Sequence, residues 1–107
     1  MYVADSYNHK IKLLELGGTP SIQSLIGDST EKNPRVVDGL KGLLNEPHDV
    51  LSYEDKTQQF GLLIADTGND CLRVAKQESA NKWMVVTPVI EGVPDNRMNC
   101  KGGVCKL

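Results

Sequence analysis

Apolar and polar residues alternate from Tyr2, the alternation stops at Ser6-Tyr7-Asn8-His9, and it resumes from Ile11 to Leu14. A period of two belongs to a strand with one face turned to a core, so the stretch predicts a hairpin. The pattern returns 61 residues later, where "IADTGNDCLRVA" from Ile64 lies without a gap on "VADSYNHKIKLL" from Val3. Ala4 falls on Ala65, Asp5 on Asp66 and Asn8 on Asn69, and Ser6/Thr67, Ile11/Leu72, Lys12/Arg73 and Leu13/Val74 are like for like. In each copy the apolar pair points to one side while Lys12 or Arg73 points to the other, which predicts one buried face and one partly wetted face. Self-similarity at this spacing marks a repeat architecture.

Further strand-like pieces follow each hairpin. "SIQSLIG" alternates from Ile22 to Ile26 before Gly27, and "KWMVVTPVIEG" after the second hairpin has the same place and shape. "HDVLSY" leads from Pro47 into Val50 and Leu51, so the second unit has four strands, and only "DGLKGLLNE", Asp38–Glu46, has room for a helical turn or two. The chain is expected to be all-β. Between the halves of each hairpin, Asp5, Asn8, Asp66 and Asn69 suit a tight turn, because short polar side chains accept from nearby backbone N–H groups and tolerate positive φ. Gly68 fits that reading. A metal or acid–base cluster of Asp5, Asn8 and His9 is the functional alternative. Repetition favours the turn, since a turn must recur in every copy and a catalytic constellation need not.

The run from Asn45-Glu46-Pro47-His48-Asp49-Val50 to Ala65-Asp66-Thr67-Gly68-Asn69-Asp70-Cys71-Leu72-Arg73-Val74 resembles an NHL repeat. It has a Pro leading into the first strand, an Ala-Asp-Ser/Thr-x-Asn turn and then Ile/Leu-Arg/Lys-Val, and "YVADSYNHKIKLL" carries the Asn-His pair. The second copy departs from the family at Asp70, where His is usual, and at Cys71. The resemblance implies a partial β-propeller of about two NHL blades of four-stranded antiparallel sheet, the first lacking its first strand. Residues 1–27 form the incomplete blade, 28–44 an inter-blade linker, 45–92 the complete blade, and 93–107 a tail expected to be disordered. Because a closed ring needs about four to eight blades, the expected setting is a longer parent chain that supplies the remaining blades. The pair of hairpins is similar to family members that join a thioredoxin-like domain to the propeller and are largely cytosolic.

Composition narrows the function classes. The 107 residues are 39% hydrophobic and 24% charged, as in an ordinary soluble domain, and the net charge of -2 gives no electrostatic reason to bind a phosphate backbone. The longest apolar runs fall far short of the ~20 residues that span a bilayer. Three cysteines in no recognised metal spacing suit free thiols in the cytoplasm. Cys100 and Cys105 form a redox pair or half a metal site only if the tail is ordered. His48 either lines the blade's rim for a ligand or stands solvated. Two histidines without a third partner assemble no catalytic set, so no catalytic, cofactor-binding or metal-binding residue is assigned and no cofactor is expected.

Strands that alternate in direction bring the linker to the same rim as the two hairpin turns. Asp28, Glu31 and Asp38 stand there against Lys32, Arg35 and Lys41, three charges of each sign. Such a rim suits a protein partner better than RNA. The candidate contact residues are Tyr7, His9 and Asp70 on the turns, with Lys32, Arg35 and Lys41 on the linker. The reading is therefore an NHL-propeller fragment serving as a non-enzymatic protein–protein interaction platform. Its alternatives are a piece of a propeller enzyme, of amidating-lyase or calcium-dependent hydrolase type with its catalytic residues on other blades, and an RNA-binding propeller.

Overall fold

The structure is a computed structural model that describes residues 1–30, 36–92, 99–101 and 104–106. It is all-β, with two antiparallel sheets and a short separate strand pair. The first sheet has the order β1 (Tyr2–Asp5), β2 (Lys10–Glu15), β3 (Ser21–Ile26), and the second has the order β4 (Asp49–Glu54), β5 (Phe60–Asp66), β6 (Cys71–Ser79), β7 (Lys82–Val86). Every strand pairs with its neighbour in sequence, so each sheet is a meander joined by short turns. In β8 (Asn99–Lys101) and β9 (Val104–Lys106), Cys100 stands opposite Cys105 in the register.

The matched copies occupy matched places. Ala4 pairs with Ile11 on β1–β2, and Ala65 pairs with Leu72 on β5–β6. The two sheets lie face to face, β1 against β4 and β3 against β7. The core forms between them, from Ile11 and Ile26 of the first sheet, Leu62, Ile64, Ala75, Trp83 and Val85 of the second, and Leu44 of the connecting loop. Tyr2, Ala4 and Val50 pack on its margin. Burying one such side chain stabilises by about 1.5–3 kcal/mol, so the sheet–sheet seam dominates the hydrophobic contribution. At the end of the seam away from the β1–β2 turn, Tyr2 meets Phe60 and Trp83 at ring-centre distances of 5.7 and 6.4 Å. Burial there pushes the Tyr2 phenol up from its ordinary value.

The all-β expectation holds, the one stretch with room for a helical turn does not use it, and one expectation of burial fails, the last two for a common reason. Asp38–Glu46 forms no helix. The stretch crosses the second sheet as a loop in which Leu43 N–H donates to the Val37 carbonyl at 3.0 Å. Gly39 exchanges two backbone hydrogen bonds with Val85, at 2.8 and 3.1 Å, covering the edge of β7. Arg73, expected on a wetted face, is fully buried. It lies on the core side of β6 beneath that same loop. Its guanidinium donates to the Val37 carbonyl at 2.7 Å, the Leu43 carbonyl at 2.8 Å, Asp66 at 2.8 Å and Asp38 at 2.9 Å. A helix over Asp38–Glu46 would have claimed the carbonyls and geometry that Arg73 uses.

Candidate partner-binding rim

Each hairpin turns through one 3-10 turn, Ser6–Asn8 in the first sheet and Thr67–Asn69 in the second. The closing residues, His9 at φ 57 and Asp70 at φ 56, are both left-handed, and their N–H groups donate back to Ser6 at 3.1 Å and Thr67 at 3.0 Å. His and Asp are among the residues that tolerate this region. Asp70 thus adopts the same conformation as His9, its counterpart in the first copy. The positive φ expected for the Asn positions and Gly68 falls on these two residues instead. Gly68 is needed for close approach, because a Cβ there would lie 2.5 Å from Asn45.

The four turn residues lock the turns through side chains more than through local backbone donors. Asn8 donates to Asp5 at 2.9 Å, and Asn69 donates to Asp66 at 2.7 Å. Lys12 sits 2.6 Å from Asp5 where Arg73 sits 2.8 Å from Asp66, so the repeat conserves an acid–base pair across two different burials. The Lys12 ammonium, followed by the Asn8 amide, holds the Asp5 carboxyl below its usual range. Asp66 is fully buried, and its second oxygen accepts the Asn45 N–H at 2.7 Å.

Between the two turns runs Asn45-Glu46-Pro47, held from both sides. On one side Ser6 Oγ donates to the Pro47 carbonyl at 2.6 Å, and the Glu46 N–H donates to His9 Nδ1 at 3.0 Å. On the other side the Gly68 N–H donates to the Asn45 carbonyl at 2.8 Å, and Asn45 Nδ2 returns a bond to the Gly68 carbonyl at 3.2 Å. Glu46 is bent to φ 47, an uncommon value for a residue before proline, and the clasp holds it there. The other end of the loop starts at the same rim. Gly27 has φ +95 and a Cβ there would overlap the His9 carbonyl, so the position requires glycine, and Asp28 then accepts from the Thr30 N–H and hydroxyl at 2.8 and 2.7 Å. Those Thr30 bonds hold the Asp28 carboxyl below its usual range.

Of the candidate contact residues, Tyr7 projects from the first turn at 89% exposure, with half-buried His9 fixed beside it. Asp70 is exposed on the second turn. Lys41 is exposed further along the loop, where it borders a cavity of about 290 Å³ with Asp28, Leu25 and Trp83. Lys32 and Arg35 lie outside the described residues. His48 is exposed just past the clasp. The structure adds Asn45, Glu46 and Pro47, which bind the turns together. Their signal in the sequence is the run Asn-Glu-Pro before a strand, though nothing local shows that its partners lie in two other hairpins.

Among the described residues, no group of three or more His, Cys, Asp or Glu side chains is arranged to hold a metal ion, and no helix is long and apolar enough to cross a membrane. No family model and no curated protein matches the chain.

Proposed function

We propose that the chain contributes two successive blades of an NHL-type β-propeller whose turn-bearing rim is a platform for a protein partner, without catalysis of its own. The observation that carries this reading is Tyr7. It is a nearly fully exposed aromatic side chain on a backbone whose neighbours Ser6 and His9 are tied to Pro47 and Glu46. An aromatic group presented on a rigid backbone loses little entropy when covered, and such residues dominate binding energy at interfaces. The internal repeat and the meander of strands support the blade assignment. Exposed Asp70 on the second turn adds a polar group to the same turn-bearing rim, as suits a polar surround for an apolar anchor.

A photo-crosslinking amino acid at position 7, compared with one at position 56 on the opposite rim, tests the reading in lysate. The expected result is a protein adduct specific to position 7. After identification, its titration against the purified chain should weaken about tenfold or more on Tyr7→Ala, which is a loss of about 1.4 kcal/mol. Equal adducts at both positions, or an adduct removed by ribonuclease, would refute the proposal.

A further inference from the structure

Cys100 and Cys105 have no part in the blades or the rim, and the last strand pair brings them together. β8 and β9 are antiparallel, with Asn99 opposite Lys106, Cys100 opposite Cys105 and Lys101 opposite Val104, so the two cysteines occupy directly opposed positions of one ladder. Residues opposed in this way have Cα atoms about 4.5–5.5 Å apart. A disulfide joins residues whose Cα atoms lie about 4.4–6.8 Å apart. The backbone register therefore meets the spacing requirement of a disulfide as it stands. Two thiols supply the whole of a disulfide, but only half of the four ligands that a structural zinc takes.

Charge and chain length favour the same chemistry. Arg97, Lys101 and Lys106 each stand within three residues of a cysteine, and no acidic residue occurs between Asn96 and Leu107. Positive surroundings favour the thiolate, which is the nucleophilic form, and attract an anionic reagent such as oxidised glutathione. Four residues separate the two cysteines, so closing the loop between them costs little entropy once the register holds its ends together. Cys71 differs in being buried at the start of β6, where a dissolved reagent does not reach it.

We propose that Cys100 and Cys105 form a redox-sensitive modification site, a reversible disulfide closed across β8–β9 by exchange with oxidised glutathione. The thiolate of one cysteine attacks a glutathione sulfur, which breaks the glutathione S–S bond, forms a mixed disulfide and releases one glutathione thiolate. The thiolate of the other cysteine attacks the protein sulfur of that mixed disulfide, which forms the intrachain bond and releases the second glutathione. The two thiol protons pass to the two released glutathione molecules, so the protein loses two electrons and the glutathione disulfide gains them. Excess reduced glutathione runs the same steps backwards and restores both thiols. The site uses the last strand pair alone and does not depend on the partner assigned to the rim.

Equilibrating the 107-residue chain in glutathione buffers of graded redox ratio, followed by acid quench, alkylation and peptide mass mapping, tests the proposal. The expected result is one linkage in oxidised buffer, from Cys100 to Cys105, whose extent does not change with protein concentration. Cys71 stays unmodified until the chain is unfolded. A control chain carries Cys105→Ser with Lys106→Cys, which moves the second thiol to the position opposite Asn99, on the other face of the ribbon. Its disulfide equilibrium constant should be lower by about tenfold or more, because the register no longer supplies a high effective concentration of one thiol at the other. Both substitutions lie outside the two large sheets, and Trp83 emission reports that those sheets are intact. The proposal is overturned by three alkylated thiols in oxidised buffer, by glutathione adducts that persist on Cys100 or Cys105, or by linkage to Cys71 or between chains. Equal constants in the two chains also overturn it, since the register would then contribute nothing.

Discussion

Replacing Arg73 by Met should be among the most costly single changes in this chain. The methionine keeps the apolar stem and removes a guanidinium that is fully buried. Asp66, itself fully buried, is left with Asn45 N–H and Asn69 Nδ2 as donors but without its cation. The Val37 and Leu43 carbonyls lose their side-chain donor as well. Leaving one member of a buried ion pair uncompensated costs about 3–5 kcal/mol. The Asp38 arm adds less than about 1 kcal/mol, since that carboxylate is half exposed and screened. Against a total stability on the order of 5–15 kcal/mol, the loss is large. Lys12→Met removes the equivalent cation from the more exposed Asp5 pair and should cost no more than about 1 kcal/mol. Urea unfolding followed by Trp83 emission and far-UV circular dichroism measures both. Asp66→Asn combined with Arg73→Met should recover much of the single-variant loss, because the buried charge is gone. Equal destabilisation by Arg73→Met and Lys12→Met, or a double variant as unstable as the sum of its parts, would refute the account of the buried pair.

Gly68→Ala should destabilise by about 1–3 kcal/mol, since its Cβ would meet Asn45 at 2.5 Å. Gly17→Ala, where a Cβ meets nothing within 4 Å, should stay within about 0.5 kcal/mol in the same unfolding assay. Leu62→Ala, in the middle of the seam, should cost about 2–5 kcal/mol and lower the urea midpoint without changing its slope. Asp55 accepts from the Thr57 hydroxyl, the Gln59 and Thr57 N–H groups and Lys76, in that turn's own lock, and these bonds hold its carboxyl well below the usual 3.8. A carboxyl with a depressed folded-state value stabilises above its unfolded value and loses that contribution as pH falls through the folded one. Asp55→Asn should therefore flatten the acid side of the stability–pH curve and, because the same carboxylate raises Lys76, also soften the loss at strongly basic pH, while leaving the slope near neutrality unchanged, as measured by urea midpoints at successive pH values.

The hairpins were legible because their determinants are local. Alternation gives strands, and the Asp-Ser-Tyr-Asn and Asp-Thr-Gly-Asn runs give turns, so each copy could be read within a dozen residues. The burial of Arg73 was not legible on the same terms. Alternation shows that Lys12 and Arg73 leave the strand on the side opposite their apolar neighbours, but not what lies over that side. Over Arg73 lies the Val37–Leu43 loop, which arrives from about 30 residues away with two carbonyls and Asp38. Asp38–Glu46 misled for the same reason. Its apolar spacing is compatible with helix, while Leu44 in the core, Gly39 against Val85 and the carbonyls facing Arg73 select an irregular path. On the rim, the general position of Tyr7, His9 and Asp70 followed from strand direction. The role of Asn45-Glu46-Pro47 required knowing that two hairpins far apart in sequence stand side by side.

That clasp has a kinetic consequence. Its bonds span 41 residues from Ser6 to Pro47 and 37 from His9 to Glu46 on one side, and 23 from Asn45 to Gly68 on the other. The bonds to Ser6 and His9 wait on the first hairpin and those to Gly68 on the second, so the whole clasp closes only when both exist; hairpins form in about 1–10 μs while long-range docking waits on loop closure. The order of events is thus two early, independent meanders followed by one late step in which the loop is captured and the seam closes. Reversed, the same order makes release of a three-residue segment the gate through which the sheets come apart, so weakening the clasp should raise the unfolding rate far more than it lowers the folding rate.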